Sequence, residues 1–155
     1  MAARTPSGRG FSLLELIVVL AIVAILGVIA APRYSQGIQR YRLEMAANRV
    51  AADIDLARSL ARAQGATATI SFATSSATYT IAGLTSTDRS GEAFAVSLAR
   101  EPFGVAIQNV DFAGTNTLTI KGFGTPISGG TVRLTLGSLS KVVTVAAGTG
   151  EVSVQ

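Results

Sequence analysis

An uninterrupted apolar run near the N-terminus constrains this chain more than any other feature. Residues 11–31 read FSLLELIVVLAIVAILGVIAA, in which only Ser12 and Glu15 are polar. At about 1.5 Å per residue, such a helix reaches roughly 30 Å, the thickness of the hydrocarbon core of a bilayer. A carboxylate there costs about 2.5–3.5 kcal/mol at the helix centre and less near the interface. We therefore expect a membrane helix in which Glu15 has a partner; a plain signal anchor, with Glu15 reaching the headgroups, is the alternative.

Composition argues against catalysis. The chain has 155 residues, a net charge of +4, and neither cysteine nor histidine. The absence of cysteine excludes disulfides, thiol nucleophiles and zinc–thiolate sites, and the absence of histidine removes the commonest general base and metal ligand. The carboxylates have no calcium-loop spacing, and Asp53 and Asp55 face different sides of a helix. We expect no enzyme, no catalytic residue, no cofactor and no metal; a signal-anchored periplasmic enzyme is the disfavoured alternative.

Pro32 ends the apolar run. A proline inside a helix removes one backbone hydrogen bond and clashes with the preceding turn. We expect either a helix kink at Pro32 or a simple stop at the membrane exit.

The helical pattern continues through residues 32–65 but becomes amphipathic. One stripe recurs at helical spacing and is formed by Tyr34, Ile38, Tyr41, Met45, Val50, Ile54, Ala57 and Ala61. Arginines 40, 49, 58 and 62 mostly occupy other positions, where a solvated face is favoured over contacts with lipid headgroups or DNA. Gly65 is a candidate C-cap. The sequence thus predicts one helix from Phe11 to about Gln64, in a membrane half and an amphipathic half.

After Gly65 the composition changes to Thr, Ser, Gly and Val with a period of two. Turn signals separate short alternating runs, which is typical of antiparallel strands. The predicted strands are 67–73, 78–82, 93–98, 104–112, 117–122, 131–136, 141–146 and 151–154, with a polar loop at 88–92. The fold class is α+β: a long N-terminal helix packed on a C-terminal antiparallel β-sheet domain, residues 66–155.

The residues around Glu15 resemble a known processing site. Gly10-Phe11-Ser12-Leu13-Leu14-Glu15, behind a short basic leader, resembles the cleavage site of type IV prepilins and type II secretion pseudopilins, with Ser12 where threonine is usual. The resemblance implies that residues 1–10 are a leader, that a prepilin peptidase cleaves between Gly10 and Phe11, and that Phe11 is N-methylated. It also implies the pilin fold, with 11–31 as the transmembrane and assembly helix, and a Pro32 that loosens the helix during assembly.

Elementary electrostatics gives this motif a purpose. Cleavage would create an ammonium group on Phe11, with Glu15 about one helical turn below it. In a stack of such helices, Glu15 of one subunit meets the terminal amine of a neighbour, and the pair offsets the desolvation of both charges. The implied partners are the prepilin peptidase, other pilin or pseudopilin subunits, and inner-membrane lipid before assembly. The implied location is the bacterial inner membrane, single-pass, with the domain in the periplasm, and then the filament.

The C-terminal region resembles the GspH/FimT group of pseudopilins and minor pilins. The resemblance rests on a glycine-rich turn at 124–130, a following hairpin, and the final Thr149-Gly150-Glu151-Val152. Some FimT-like members bind DNA through basic residues near this end, but Glu151 stands where arginine is frequent. The expected function is a minor pilin or pseudopilin of a type II secretion pseudopilus or type IV pilus; a DNA-binding minor pilin in natural transformation is the alternative, with nucleic acid disfavoured as a partner.

Overall fold

The computed structural model describes residues 11–85 and 93–155 of the chain. One helix precedes eight strands, in the order α1 (Leu13–Gln64), β1 (Ala68–Ala73), β2 (Thr78–Thr85), β3 (Ala93–Ser97), β4 (Ala106–Asp111), β5 (Thr117–Ile120), β6 (Gly130–Leu136), β7 (Leu139–Val145) and β8 (Val152–Val154). All eight predicted strands are present, with ends displaced by up to three residues. The leader, including Gly10, and the polar loop 88–92 lie outside the described residues.

The long helix ends where the sequence predicts. Gly65 has a φ of +60°, a conformation that glycine adopts without steric cost. The Ala66 N–H donates to the Ala61 carbonyl at 3.2 Å, closing the six-residue hydrogen bond of a Schellman motif. This cap turns the chain directly into β1.

The chain divides into two compact units, Met1–Gly37 and Ile38–Gln155. In the first unit, the described part is the apolar portion of α1, and the helix continues through Pro32 without interruption. The kink at Pro32 stays a prediction. The second unit holds the rest of α1 and all eight strands.

The predicted antiparallel β domain is confirmed, and its strands are divided between two sheets. The first sheet has the order β3-β2-β1-β5 and the second the order β4-β6-β7-β8. In the first sheet Ile70 pairs with Ile81 on one side and Leu118 on the other; in the second, Val132 pairs with Val143. The final strand, β8, forms the edge of the second sheet, beside β7.

One buried cluster contains side chains of α1 and of both sheets. The helix contributes Leu43, Ala46, Ala47, Val50, Ile54, Ala57 and Ala61, all at most 2% exposed. Fully burying a Leu, Ile or Val side chain is worth about 1.5–3 kcal/mol, so these residues fix which face of the helix meets the sheets.

The predicted stripe on this helix is wrong in its first half. Tyr34 and Tyr41 are 74% and 65% exposed, and Ile38 is also exposed, whereas Leu43 and Ala46 are buried in their place. The stripe is correct from Val50 onward. The residues before Leu43 lie ahead of the part of the helix that the sheets cover, so periodicity alone assigned them to a core that does not extend to them.

Candidate functional site

Ser12 caps the helix at its N-terminal end. The Glu15 N–H donates to Ser12 Oγ at 3.2 Å, and the Leu16 N–H donates to the Ser12 carbonyl at 3.1 Å. A serine three residues before a glutamate forms the sequence of a capping box, in which the N-cap hydroxyl satisfies an otherwise unpaired helix N–H group. The motif residue Ser12 thus has a structural function that our sequence reasoning missed, although the Ser-x-x-Glu spacing carries that signal.

Glu15 lies in the first turn of α1 and is exposed. Within residues 11–85 and 93–155, no Lys or Arg nitrogen lies within 4.0 Å of its carboxylate. Phe11, four residues earlier, is 76% exposed. The structure therefore places Phe11 two residues before the first helical residue and Glu15 in the first turn, with a carboxylate that is unpaired among the described residues.

The apolar half of the helix is exposed all round. From Leu13 to Val28 the large apolar side chains are between 44% and 77% exposed. A helix that is hydrophobic on every side requires an apolar environment, either lipid or other helices. Among the described residues α1 is the one helix long and apolar enough to cross a membrane.

A buried polar cluster that the sequence did not predict joins α1 to the first sheet. Asp53 is 5% exposed and Tyr79 is 1% exposed, and the Tyr79 hydroxyl donates to Asp53 Oδ2 at 2.5 Å. Arg49 Nε donates to the same oxygen at 2.9 Å. Burial and the Asp53 carboxylate raise the pKa of Tyr79 well above its ordinary value, and the hydrogen bond to Asp53 raises the pKa of Arg49. The charges of Arg49 and Asp53 offset each other within the cluster, which is typical of a group that stabilises a fold.

Of the arginines after it, Arg58 differs from the solvated face that we expected, whereas Arg62 is exposed, and both contact carbonyl oxygens of the domain. Arg58 Nη1 contacts Asp55 Oδ1 at 2.8 Å, and its Nη2 donates to the Thr149 carbonyl at 2.9 Å. Arg58 Nε donates to the Gly124 carbonyl at 3.3 Å, and Arg62 Nε donates to the Phe123 carbonyl at 3.2 Å. These side chains tie the helix to two loops of the domain, because turns expose carbonyl oxygens that the strands leave unpaired.

Asp53 and Asp55 stand apart, as the helix geometry predicted: the first is buried against Tyr79 and the second is exposed beside Arg58. Over the part of the chain that the structure describes, no group of three or more acidic side chains could hold a metal ion.

Comparison with known proteins identifies two matching families. The model of the family described as "Type II transport protein GspH" matches residues 46–149, and that of the "Prokaryotic N-terminal methylation motif" matches residues 7–31. The second match implies processing by a prepilin peptidase and pilin-type subunit assembly. The search of curated proteins finds no significant match.

Solved structures support the fold. A crystal structure of the type IV minor pilin FimU of Pseudomonas aeruginosa is similar with a TM-score of 0.54 and 16% identity, covering 75% of this chain and 90% of that one. A second crystal form of FimU gives a TM-score of 0.53 and 17% identity, covering 73% and 92%. At this identity the likeness shows a shared pilin-like fold. The family match over residues 46–149, in agreement with this fold, shows that this chain belongs to the GspH family of pilin-like structural subunits.

Proposed function

We propose that this protein is a minor pilin or pseudopilin, made as a bitopic inner-membrane precursor and assembled through its N-terminal helix into a type II secretion pseudopilus or type IV pilus. In this proposal residues 1–10 are removed by a prepilin peptidase, Phe11 becomes the methylated N-terminus, and residues 66–155 face the periplasm and then the filament surface. The single observation that carries it is an exposed Glu15 carboxylate, unpaired among the described residues, at the start of a helix that is apolar on every side.

The energetics favour a subunit–subunit contact for Glu15. An isolated carboxylate in the bilayer is penalised, and so is an isolated ammonium, but the two together offset much of that penalty. The amine that cleavage creates on Phe11 lies four residues before Glu15 in its own chain. The same amine on a neighbouring subunit also has the right charge to pair with Glu15. Lipid surrounds the helix before assembly, and neighbouring helices replace it in the filament.

Processing is tested by intact mass after co-expression with a prepilin peptidase. The expected product has lost residues 1–10 and gained one methyl group on Phe11. Substituting Gly10 by valine should block cleavage and serves as the matched control. An uncleaved wild-type chain, or one cut near Ala30, would overturn the proposal.

Assembly is tested with Glu15→Ala and Glu15→Gln. Both should be cleaved and methylated normally, yet enter sheared filaments at a yield lower by about tenfold, since one lost charge pair of this kind is worth on the order of 1.4 kcal/mol or more. Filament yield is read by immunoblot against the membrane fraction. Normal incorporation of Glu15→Gln would contradict the charge-pair account while leaving processing intact.

The DNA-binding alternative receives less support from the arginines of α1. Arg49 pairs with Asp53, and Arg58 pairs with Asp55 and holds the loop at Gly124. Real phosphate contacts make binding strongly dependent on salt. A gel shift at low salt that weakens steeply on raising the salt would favour DNA binding, and no shift at low salt would end it.

A further inference from the structure

The loop that joins β5 to β6 exposes an aromatic side chain. Phe123 is 87% exposed, more than any other large apolar side chain among the described residues, the apolar part of α1 included. Ile127 in the same loop is 62% exposed. A tight turn forms the tip, in which the Gly124 N–H donates to the Lys121 carbonyl at 2.7 Å and the Lys121 N–H donates to the Thr125 carbonyl at 2.8 Å. An aromatic ring held out into water on a regular turn is costly, because water must be ordered around it.

This loop, residues 121–129, is fixed in place before any partner arrives. Arg62 holds the Phe123 carbonyl and Arg58 holds the Gly124 carbonyl, as described above. A Cβ added to Gly122 would lie 2.6 Å from the Gly65 carbonyl oxygen, so the loop backbone lies directly against the end of the helix. The loop therefore loses its conformational entropy on folding, and a contact made by Phe123 would order it little further.

The rim of the exposed tip is cationic. Lys121 and Arg62 are both exposed, and neither has a carboxylate within 4.0 Å in the described ranges 11–85 and 93–155. Arg58, by contrast, is neutralised by Asp55. An apolar anchor with a cationic rim is complementary to an apolar pocket with an acidic rim.

A second copy of this chain would present to the tip, among other surfaces, the groove beside Leu43 and Leu139. The groove has a volume of about 290 Å³ and contains the apolar side chains of Leu43 and Leu139. Its rim carries the cations Arg40 and Lys141, and its carboxylate, Glu44, already lies 3.5 Å from Lys141. A cationic tip would meet a cationic rim there, which disfavours contact between identical chains at this groove.

We propose that the Phe123 loop is a docking anchor for a different protein chain, one that presents an apolar pocket rimmed by Asp or Glu. Where that chain is a neighbouring filament subunit, the inference rests on the proposed function. The loop lies at the end of α1 that meets Gly65, so the contact uses a surface of the Ile38–Gln155 unit and requires no residue of the apolar helix.

The test places the photo-crosslinking residue benzoylphenylalanine at position 123 of the full chain, produced in the source bacterium. Position 116, an exposed loop position between β4 and β5, is the matched control. We expect a crosslinked product with a different protein at position 123. Its yield should be at least about tenfold above the yield at position 116, because one central aromatic contact changes binding by about that factor. Mass spectrometry of the product should map the contact to an apolar surface site flanked by acidic residues.

Charge is tested separately with Lys121→Glu and Lys121→Arg. The first should lower the crosslink yield at 123 severalfold and the second should preserve it. Phe123→Ser should leave the urea unfolding midpoint of the chain unchanged, because the ring contributes little to the core. A crosslink between two copies, a crosslink to nucleic acid, or a yield no higher than at 116 would each overturn the proposal.

The same sample separates this inference from the proposed function. Intact mass reports whether the chain begins at methylated Phe11. A processed chain without the crosslink overturns the docking anchor alone, whereas an unprocessed chain that forms the crosslink overturns the proposed function alone.

Discussion

Tyr79 provides a test of how the helix is locked to the first sheet. Its hydroxyl donates to Asp53 Oδ2, and the two side chains are 1% and 5% exposed. A hydrogen bond to a charged group contributes about 1.5–3 kcal/mol, and the shape of the ring is retained in phenylalanine. We expect Tyr79→Phe to lower the free energy of unfolding by about 1.5–3 kcal/mol at neutral pH. The assay is urea unfolding of the full chain in detergent, followed by the circular dichroism of the β domain.

The pH dependence of that difference is a sharper test. Burial first, and then the Asp53 carboxylate, raise the pKa of Tyr79 above its unfolded value of about 10. A group whose pKa is raised by folding stabilises the protein fully below its unfolded pKa, and that contribution is lost as the pH rises beyond it. Between neutral pH and about pH 11, the wild-type chain should therefore lose about 1.4 kcal/mol that the Tyr79→Phe chain does not lose.

The stability gap between the two chains should shrink by that amount. Taking the difference cancels the titration of the lysines, arginines and other tyrosines that the two chains share. Tyr34→Phe, at a site 74% exposed, is the matched control and should leave the stability at neutral pH unchanged. A gap that stays constant from neutral pH to about pH 11 would refute the assignment of Tyr79 as a buried neutral phenol.

Two further predictions concern the cap and the Phe123 loop. Ser12→Ala should destabilise the first turn of α1 by about 1 kcal/mol, so that the Glu15 amide exchanges with solvent about fivefold faster. Ser12→Thr should keep the protection of this amide. Equal exchange in all three chains would show that the hydroxyl does not cap. Gly124→Ala should destabilise the domain by more than Gly114→Ala. Both glycines have positive φ, but the new Cβ would lie 2.2 Å from Arg62 Nε only at position 124. Equal losses in the urea midpoint would show that the loop and Arg62 rearrange without cost.

The sequence was sufficient to predict α1 and the eight strands because their signals are local. Gly65 follows the last helical residue, and the strands alternate between turns that contain glycine, serine or asparagine. The pairing of strands into two sheets was not predictable from the same signals. It depends on which strands meet across long stretches of chain, as β1 meets β5, and alternation is equally compatible with either neighbour.

The error in the helix stripe has a different origin. The helix is rich in alanine and apolar residues, so two stripes about one position apart both fit a period of 3.6. Met45 belongs to one and Ala46 to the other, and only the position of the sheets decides between them. Asp53 carried a signal that we did not use: it lies beside Ile54 and three residues after Val50, on the buried face, and Arg49 precedes it by one turn. A carboxylate on an apolar stripe requires hydrogen-bond donors, which Arg49 supplies from the same helix and Tyr79 from the first sheet.

The cap at Ser12 sharpens the argument about Glu15. A glutamate at this position has two groups to satisfy, its backbone N–H and its carboxylate. Ser12 Oγ accepts the N–H, so the backbone requirement is met inside the chain whether or not a neighbour is present. The carboxylate is the group that its own helix leaves without a cation among the described residues. If Glu15 served only the cap, glutamine would replace it, because the capping box accepts either residue at this position. The two substitutions therefore separate the two functions: Glu15→Gln keeps a side chain suited to the cap and removes the charge, so a filament defect in Glu15→Gln assigns the carboxylate to assembly.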